Sequence, residues 1–390
     1  MSATQAQTRA GKTAPDSPAL RVAGIDPELR FAGGESQVLA LTLGLIRRGH
    51  QAELLCDPSG RLWERASAAG IRCHPLKIRN ALDPGAGLKL RRILAAGHYD
   101  IIHFHTSRAH AMAPYARGKA RAMVVTRRMD YRPNRLFAPW LYNRAVDGVA
   151  AISEAVAGAL TAAGVARERI TVIPSGVDCA RFAPPDDPAR FRARSALGLE
   201  QGEIAVGALG ALEPRKGHHY LLEALALLKK DPSGATANLR CFVAGDGTLA
   251  QTLAGQTRRL DLEAMVSFPG RLDDPLGFLW ALDIFVMPSL KEGLGVAALE
   301  AMACGLPVIA SGVGGIRETV ENGAGLLTEA GSPESLASAI KQLAAAAELR
   351  AAMAARGRAR AVERYSSEAN IDMTLKFYLN CLSRSPRGEE

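Results

Sequence analysis

The chain has 390 residues, 48% of them apolar and only 5% aromatic, with 38 glycines; this supports two to three well-cored domains and argues against a disordered or all-β chain. Its formal charge of +9 is uneven, with 23 basic against 11 acidic side chains in residues 1–150 and 25 against 28 thereafter, so an anionic partner is expected for the first part. Cys56, Cys73, Cys179, Cys241, Cys304 and Cys381 form no CxxC pair, which sets aside a zinc module or disulfide framework and fits a reducing cytoplasm.

Residues 1–17 are polar, carry no apolar signal segment, and read as a disordered tail. From Leu20 onward, short apolar runs alternate with amphipathic stretches: ALRVAGI, a helix over 35–48, QAELLCD, helices over 62–69 and 88–96, DIIHFH, MVVT, GVAAIS and a helix over 154–163. Apolar strands separated by helices predict a parallel sheet covered on both faces. The stretch 170–191 holds Pro174, Pro184, Pro185 and Pro188 and reads as an extended linker. A second alternation follows: EIAVGALG, a helix over 217–229, LRCFVAGDG, a helix over 249–260, MVSFPG, DIFVMPS, a helix over 295–304, PVIAS, GLLTE and an Ala-rich helix from 335 on. The expected fold is α/β, with two doubly wound (Rossmann-like) parallel-sheet domains facing across a cleft, over 18–183 and 184–366. Residues 367–390 read as a helix packing back on the first domain, followed by a short tail. The longest apolar stretch, 296–316, is broken by Glu300 and Pro307 and cannot span a membrane.

Candidate site residues sit where open α/β sheets bind ligands, after the strands. Gly33 and Gly34, in FAGGES, open a helix and let a phosphate approach backbone N–H groups. His103 and His105 lie two apart at a strand end, on one face, with no third ligand marked nearby, so no metal is expected. Arg127, Arg128, Arg132 and Arg135 cluster in TRRMDYRP as candidates for an anionic acceptor or lipid headgroups. In the second half, Arg215 and Lys216 precede a helix and are suited to neutralising a diphosphate. Arg271 and Leu272 follow MVSFPG, where a base is expected to bind through backbone groups. Glu292, Gly293, Leu294 and Gly295 lead into a helix whose free N–H groups form an anion site. Glu300 lies about 12 Å further on at 1.5 Å per residue, too far for both carboxylates to grip one small group. A nucleotide sugar has the required length.

Through GGES, DIIHFH, IPSGVD, RKG, VAGDG, PSLKEGLGVAALEAMACGLPVIAS and VGGIRE, the chain from Gly33 to about Tyr365 resembles the retaining family-4 (group 1) glycosyltransferases of GT-B fold. The resemblance implies that Glu292 contacts the donor hexose and Glu300 the ribose, that Arg215 and Lys216 hold the diphosphate, that Gly34 meets the phosphates and that His105 lies beside the transferred sugar. It also implies a metal-independent, retaining reaction with no cofactor, the nucleotide sugar being a substrate. The opening GGES departs from the usual GGAE-like form.

The expected function is transfer of a hexose-type sugar from a nucleotide diphosphate, a UDP-sugar ahead of a GDP-sugar, to a hydroxyl of an anionic cell-envelope glycan or lipid-linked acceptor such as lipopolysaccharide core. A cytoplasmic location with peripheral contact to the inner membrane goes with it, and no nucleic-acid partner. The alternatives are a non-hydrolysing nucleotide-sugar epimerase, which needs no acceptor, and a noncatalytic nucleotide-sugar-binding protein.

Overall fold

The computed structural model describes residues 18–129, 133–232 and 236–384. Seven strands form the first sheet: β1 (Arg21–Asp26), β2 (Gln51–Cys56), β3 (Cys73–Pro75), β4 (Tyr99–Phe104), β5 (Ala120–Arg127), β6 (Gly148–Ala151) and β7 (Ile170–Val172), in the order β3-β2-β1-β4-β5-β6-β7. The second sheet has six: β8 (Ile204–Leu209), β9 (Leu239–Ala244), β10 (Val266–Gly270), β11 (Ile284–Met287), β12 (Val308–Ser311) and β13 (Leu326–Thr328), ordered β10-β9-β8-β11-β12-β13. Every pairing between these strands is parallel. The two-sheet α/β architecture expected from the alternation is therefore present. Strands such as β1 and β11 are buried along almost their whole length, which is why they read as continuous apolar runs.

Each sheet reverses its winding once, between β1 and β4 in the first and between β8 and β11 in the second. Loops leaving neighbouring strands part in opposite directions there and open a crevice. Most of the sequence motifs fall on those four strands or on the loops that leave them.

The linker differs from expectation. Helix Asp187–Ala196 begins inside it, because the Asp186 carboxylate accepts the Ala189 N–H at 2.7 Å and Pro188 sits in the first turn, where its missing donor costs nothing. Upstream, Val177 is tied to the far end of the chain: its N–H donates to Tyr365 O at 2.7 Å, and Ser367 N–H donates back to Val177 O at 2.8 Å. Helix Ser367–Arg384 then lies against helix Gly33–Arg47 and β5. Gly44 and Gly148 permit that approach, since a Cβ at Gly44 would stand 2.1 Å from Ile371 Cδ1 and one at Gly148 2.5 Å from Cys381 Sγ. Among the described residues, no helix is long and apolar enough to cross a membrane.

Candidate active site

On the second sheet, β8 ends in a 3₁₀ turn, Pro214–Lys216, closed by Gly217 at φ +65°. That glycine is required twice over: the left-handed conformation disfavours a side chain, and a Cβ would lie 2.0 Å from Pro288 O. The close contact brings the turn against the loop leaving β11, where Leu290 N–H donates to Arg215 O at 2.8 Å. As a result Lys216 Nζ lies 2.5 Å from Glu292 Oε2, with both side chains 13% exposed. Arg215 pairs with Glu213 at 3.0 Å and stays more open to solvent. Gly295, at φ +86°, then starts helix Val296–Ala303 at the C-terminal end of β11.

Glu300 lies half-buried on that helix. Burial pushes its carboxyl up to about 7, against the pull of nearby Arg181 and with the help of Asp274. Arg271 is exposed and Leu272 half-buried directly after β10, at the same end of the sheet as the Lys216 turn. These positions form one face at the C-terminal ends of the second-sheet strands.

On the first sheet, a cavity of about 230 Å³ opens between β1, β4 and β5, lined by Asp26, Gly34, Glu35, His105, Arg127 and Arg128 among others. Gly33 and Gly34 form the first turn of helix Gly33–Arg47, with open space above Gly33. Glu35 turns back to accept the Ala32 N–H at 2.8 Å. His103 and His105 stack with ring centroids 3.9 Å apart. His103 is spent structurally, its two ring nitrogens 2.6 Å from Tyr378 Oη and 2.7 Å from Thr126 Oγ1. His105 faces the cavity. Burial, His103 and Arg128 hold its pKa well below the ordinary histidine value, so the ring is neutral. Both histidines are buried, His103 at 2% and His105 at 5% exposure.

Among the described residues the arginine cluster divides: Arg127 and Arg128 line the cavity, while Arg135 does not. Arg127 is buried and donates to Ser107 Oγ at 2.8 Å. Arg128 is enclosed against the cavity, its Nη2 3.4 Å from His105 Nδ1 and its Nε without a partner among the described residues. Burial lowers its pKa, while Asp26 and Glu35 oppose that shift. Arg135 is exposed but caps helix Glu154–Ala162 by donating twice to Ala162 O, at 3.1 and 2.9 Å. Arg132 lies outside the described residues. Sequence proximity alone cannot separate Arg127 and Arg128, which the end of β5 turns into the cavity, from Arg135, which lies against helix Glu154–Ala162.

Sequence reasoning missed Asp26. It ends β1 inside the cavity, and burial together with Glu35 raises its carboxyl to about 7. Its signal was the strand-end position that marked His105. Among the described residues, no group of three or more His, Cys, Asp or Glu is arranged to hold a metal.

The two faces meet. Ser153 Oγ donates to Gly293 O at 2.8 Å, and a Cβ at Gly293 would lie 2.2 Å from Arg128 O. The Glu318 carboxylate accepts the Glu154 and Ala155 N–H groups, each at 3.1 Å, and so caps a first-sheet helix from the second domain. The Lys216–Glu292 pair and the Gly34, His105 and Arg128 cavity thus belong to facing crevices.

Residues 31–181 match the family model described as Glycosyltransferase Family 4, and residues 189–360 that described as Glycosyl transferases group 1. The chain is 30% identical over 357 residues to the lipopolysaccharide core biosynthesis glycosyltransferase LpsE of Rhizobium meliloti, covering 91% of this chain and 96% of that one. It is 30% identical over 311 residues to a D-inositol 3-phosphate glycosyltransferase of Geodermatophilus obscurus, covering 72% of this chain. The match spans about half to two thirds of such inositol-phosphate enzymes, 66% of that one and 48% of its Rhodococcus erythropolis counterpart. The fold is shared with Anabaena HepE, solved with UDP, at a TM-score of 0.82 and 24% identity over 93% of this chain and 100% of that one.

Proposed function

The chain belongs to the family-4, group 1 glycosyltransferases, and from that premise we propose that it moves a hexosyl unit from a nucleoside diphosphate donor, UDP ahead of GDP, to a hydroxyl of a cell-envelope glycan or lipid-linked acceptor. The LpsE relative favours lipopolysaccharide core as that acceptor class. The observation that carries the reading is the Lys216–Glu292 pair set beside the N-terminus of helix Val296–Ala303 and across from the Gly34, His105 and Arg128 cavity.

The hard step is departure of the nucleoside diphosphate while the sugar becomes oxocarbenium-like. Arg215, Lys216 and the helix N-terminus supply positive potential where that charge grows, a role that needs no metal. Glu292 orients the hexose hydroxyls, Glu300 accepts from the ribose diol, and neutral His105 packs beside the sugar. Retaining hydrolases place two carboxylates about 5 Å apart; Glu292 and Glu300, eight positions apart with Glu292 bound to Lys216, do not suit that role. The acceptor oxygen attacks the face the diphosphate leaves: its C1–O bond forms as the donor C1–O bond breaks, and its proton passes to the departing phosphate oxygen. The configuration at C1 is retained.

The test is a panel of UDP- and GDP-sugars with a core oligosaccharide acceptor, read by proton NMR of the product. An α-linked product from an α-donor is expected. Conversion of the donor sugar without acceptor would identify an epimerase, and donor binding without turnover a noncatalytic binder.

A further inference from the structure

The sequence concentrates charge over residues 101–146, which hold nine Lys and Arg against one acid, Asp130. Only part of that charge serves the crevice. Arg117, Arg144 and Arg169 stand just before β5, β6 and β7, so they gather at the end of the first sheet opposite the crevice. With Ala113, Pro114 and Trp140 they line a cavity of about 530 Å³ that contains no acidic side chain. Arg117 and Arg144 are exposed, and neither they nor Arg169 joins any ion pair among the described residues. Arg169 is held in place by donating from Nη1 to Val146 O at 3.0 Å.

Apolar side chains stand exposed on the same flank. Leu136 is 83%, Phe137 67% and Trp140 52% exposed, at the start of and along helix Ala138–Asn143. That helix descends from the loop after β5 at the crevice rim to the arginine cavity at the base. Its inner side is fixed: Ala138 and Tyr142 are buried, and His110 meets Leu141 O at 3.2 Å. The exposed Leu, Phe and Trp therefore cannot turn inward. Three solvent-facing apolar groups with a tryptophan, bordered by unpaired arginines, match the chemistry of an anionic bilayer interface, where rings sit at headgroup depth and guanidinium groups meet phosphate. A protein partner would have to offer an acidic surface around an apolar hollow; the bilayer offers both along any direction.

We propose that this face docks on an anionic phospholipid surface, with Leu136, Phe137 and Trp140 entering the interfacial layer and the Arg117, Arg144 and Arg169 cavity receiving one lipid phosphate. Because the flank runs up to the crevice rim, docking presents the crevice to molecules carried in the bilayer. The inference does not depend on which sugar is transferred.

Sedimentation of the full-length protein with vesicles tests it with no donor or acceptor present, so its failure and the failure of the transferase reading are separate results. The protein should pellet with vesicles of phosphatidylglycerol and phosphatidylcholine and stay in solution with phosphatidylcholine alone. Each basic group near an anionic surface contributes about fivefold in affinity, so Arg117→Ala with Arg144→Ala should weaken partitioning roughly 25-fold. Phe137→Ser should weaken it about tenfold, with the thermal midpoint of both variants unchanged. Arg258→Ala with Arg259→Ala, an exposed basic pair on the second domain, should leave partitioning unaltered. Equal binding to both vesicle types, no binding to either, or equal loss in the Arg258 and Arg259 control would overturn the proposal.

Discussion

The two crevice walls handle charge in opposite ways. On the second sheet, Lys216 and Glu292 neutralise each other at 2.5 Å in a turn fixed by Gly217, and Arg215 pairs with Glu213. On the first sheet, Asp26, Glu35, His105 and Arg128 share a buried cavity in which Asp26 is pushed up to about 7 and His105 held neutral. A paired, partly solvated wall can exchange its internal partner for a phosphate with little reorganisation. A buried wall in which Asp26 and His105 have shifted proton affinities responds to pH instead.

The largest expected effect breaks the second wall. Lys216→Ala should lower kcat about 10²–10³-fold with acceptor KM unchanged; steady-state kinetics check it, and normal turnover would remove the leaving-group role. Gly217→Val places a side chain 2.0 Å from Pro288 O at positive φ and should cost about 2 kcal/mol of stability, read as a lower midpoint in urea.

Glu300 makes the second wall sensitive to pH as well. An ionised carboxylate accepts from the ribose diol and a protonated one does so poorly, so donor KM should rise as pH falls below about 7. Glu300→Gln should raise KM about tenfold at pH 8 and flatten that profile; an unchanged profile would transfer the effect to Asp26. Because burial raises both carboxyls above their unfolded values, the folded state holds their protons more tightly. Stability should therefore fall as pH rises from about 4 to about 7. The smallest effect is on Gly33→Ala, which meets open space: stability should change by no more than about 0.5 kcal/mol, while donor KM rises if phosphate approaches that backbone.

The long strands were legible because full burial makes them apolar runs, as in β1, β4, β8 and β11. The three-residue β3 and β7 are too short to show any period, and β7 lay hidden in the proline-rich stretch. The second wall was readable from RKG and EGLG since glycine, charge and helix start occur together. Its decisive contact, Lys216 to Glu292, joins residues 76 apart, which no local spacing reveals. On the first wall the sequence could not separate Arg127 and Arg128, which line the cavity, from Arg135, which does not, and it missed Asp26, because burial at a strand's end is set by the loops that fold over it.

On this reading the second wall holds the nucleotide and the hexose hydroxyls, while the first wall lines the acceptor side of the sugar. Calorimetric titration of UDP into Glu300→Gln and Arg128→Met separates the two walls. UDP should bind about tenfold more weakly to Glu300→Gln and as tightly as to the parent in Arg128→Met. Loss of UDP binding in Arg128→Met, with Glu300→Gln behaving as the parent, would contradict this reading.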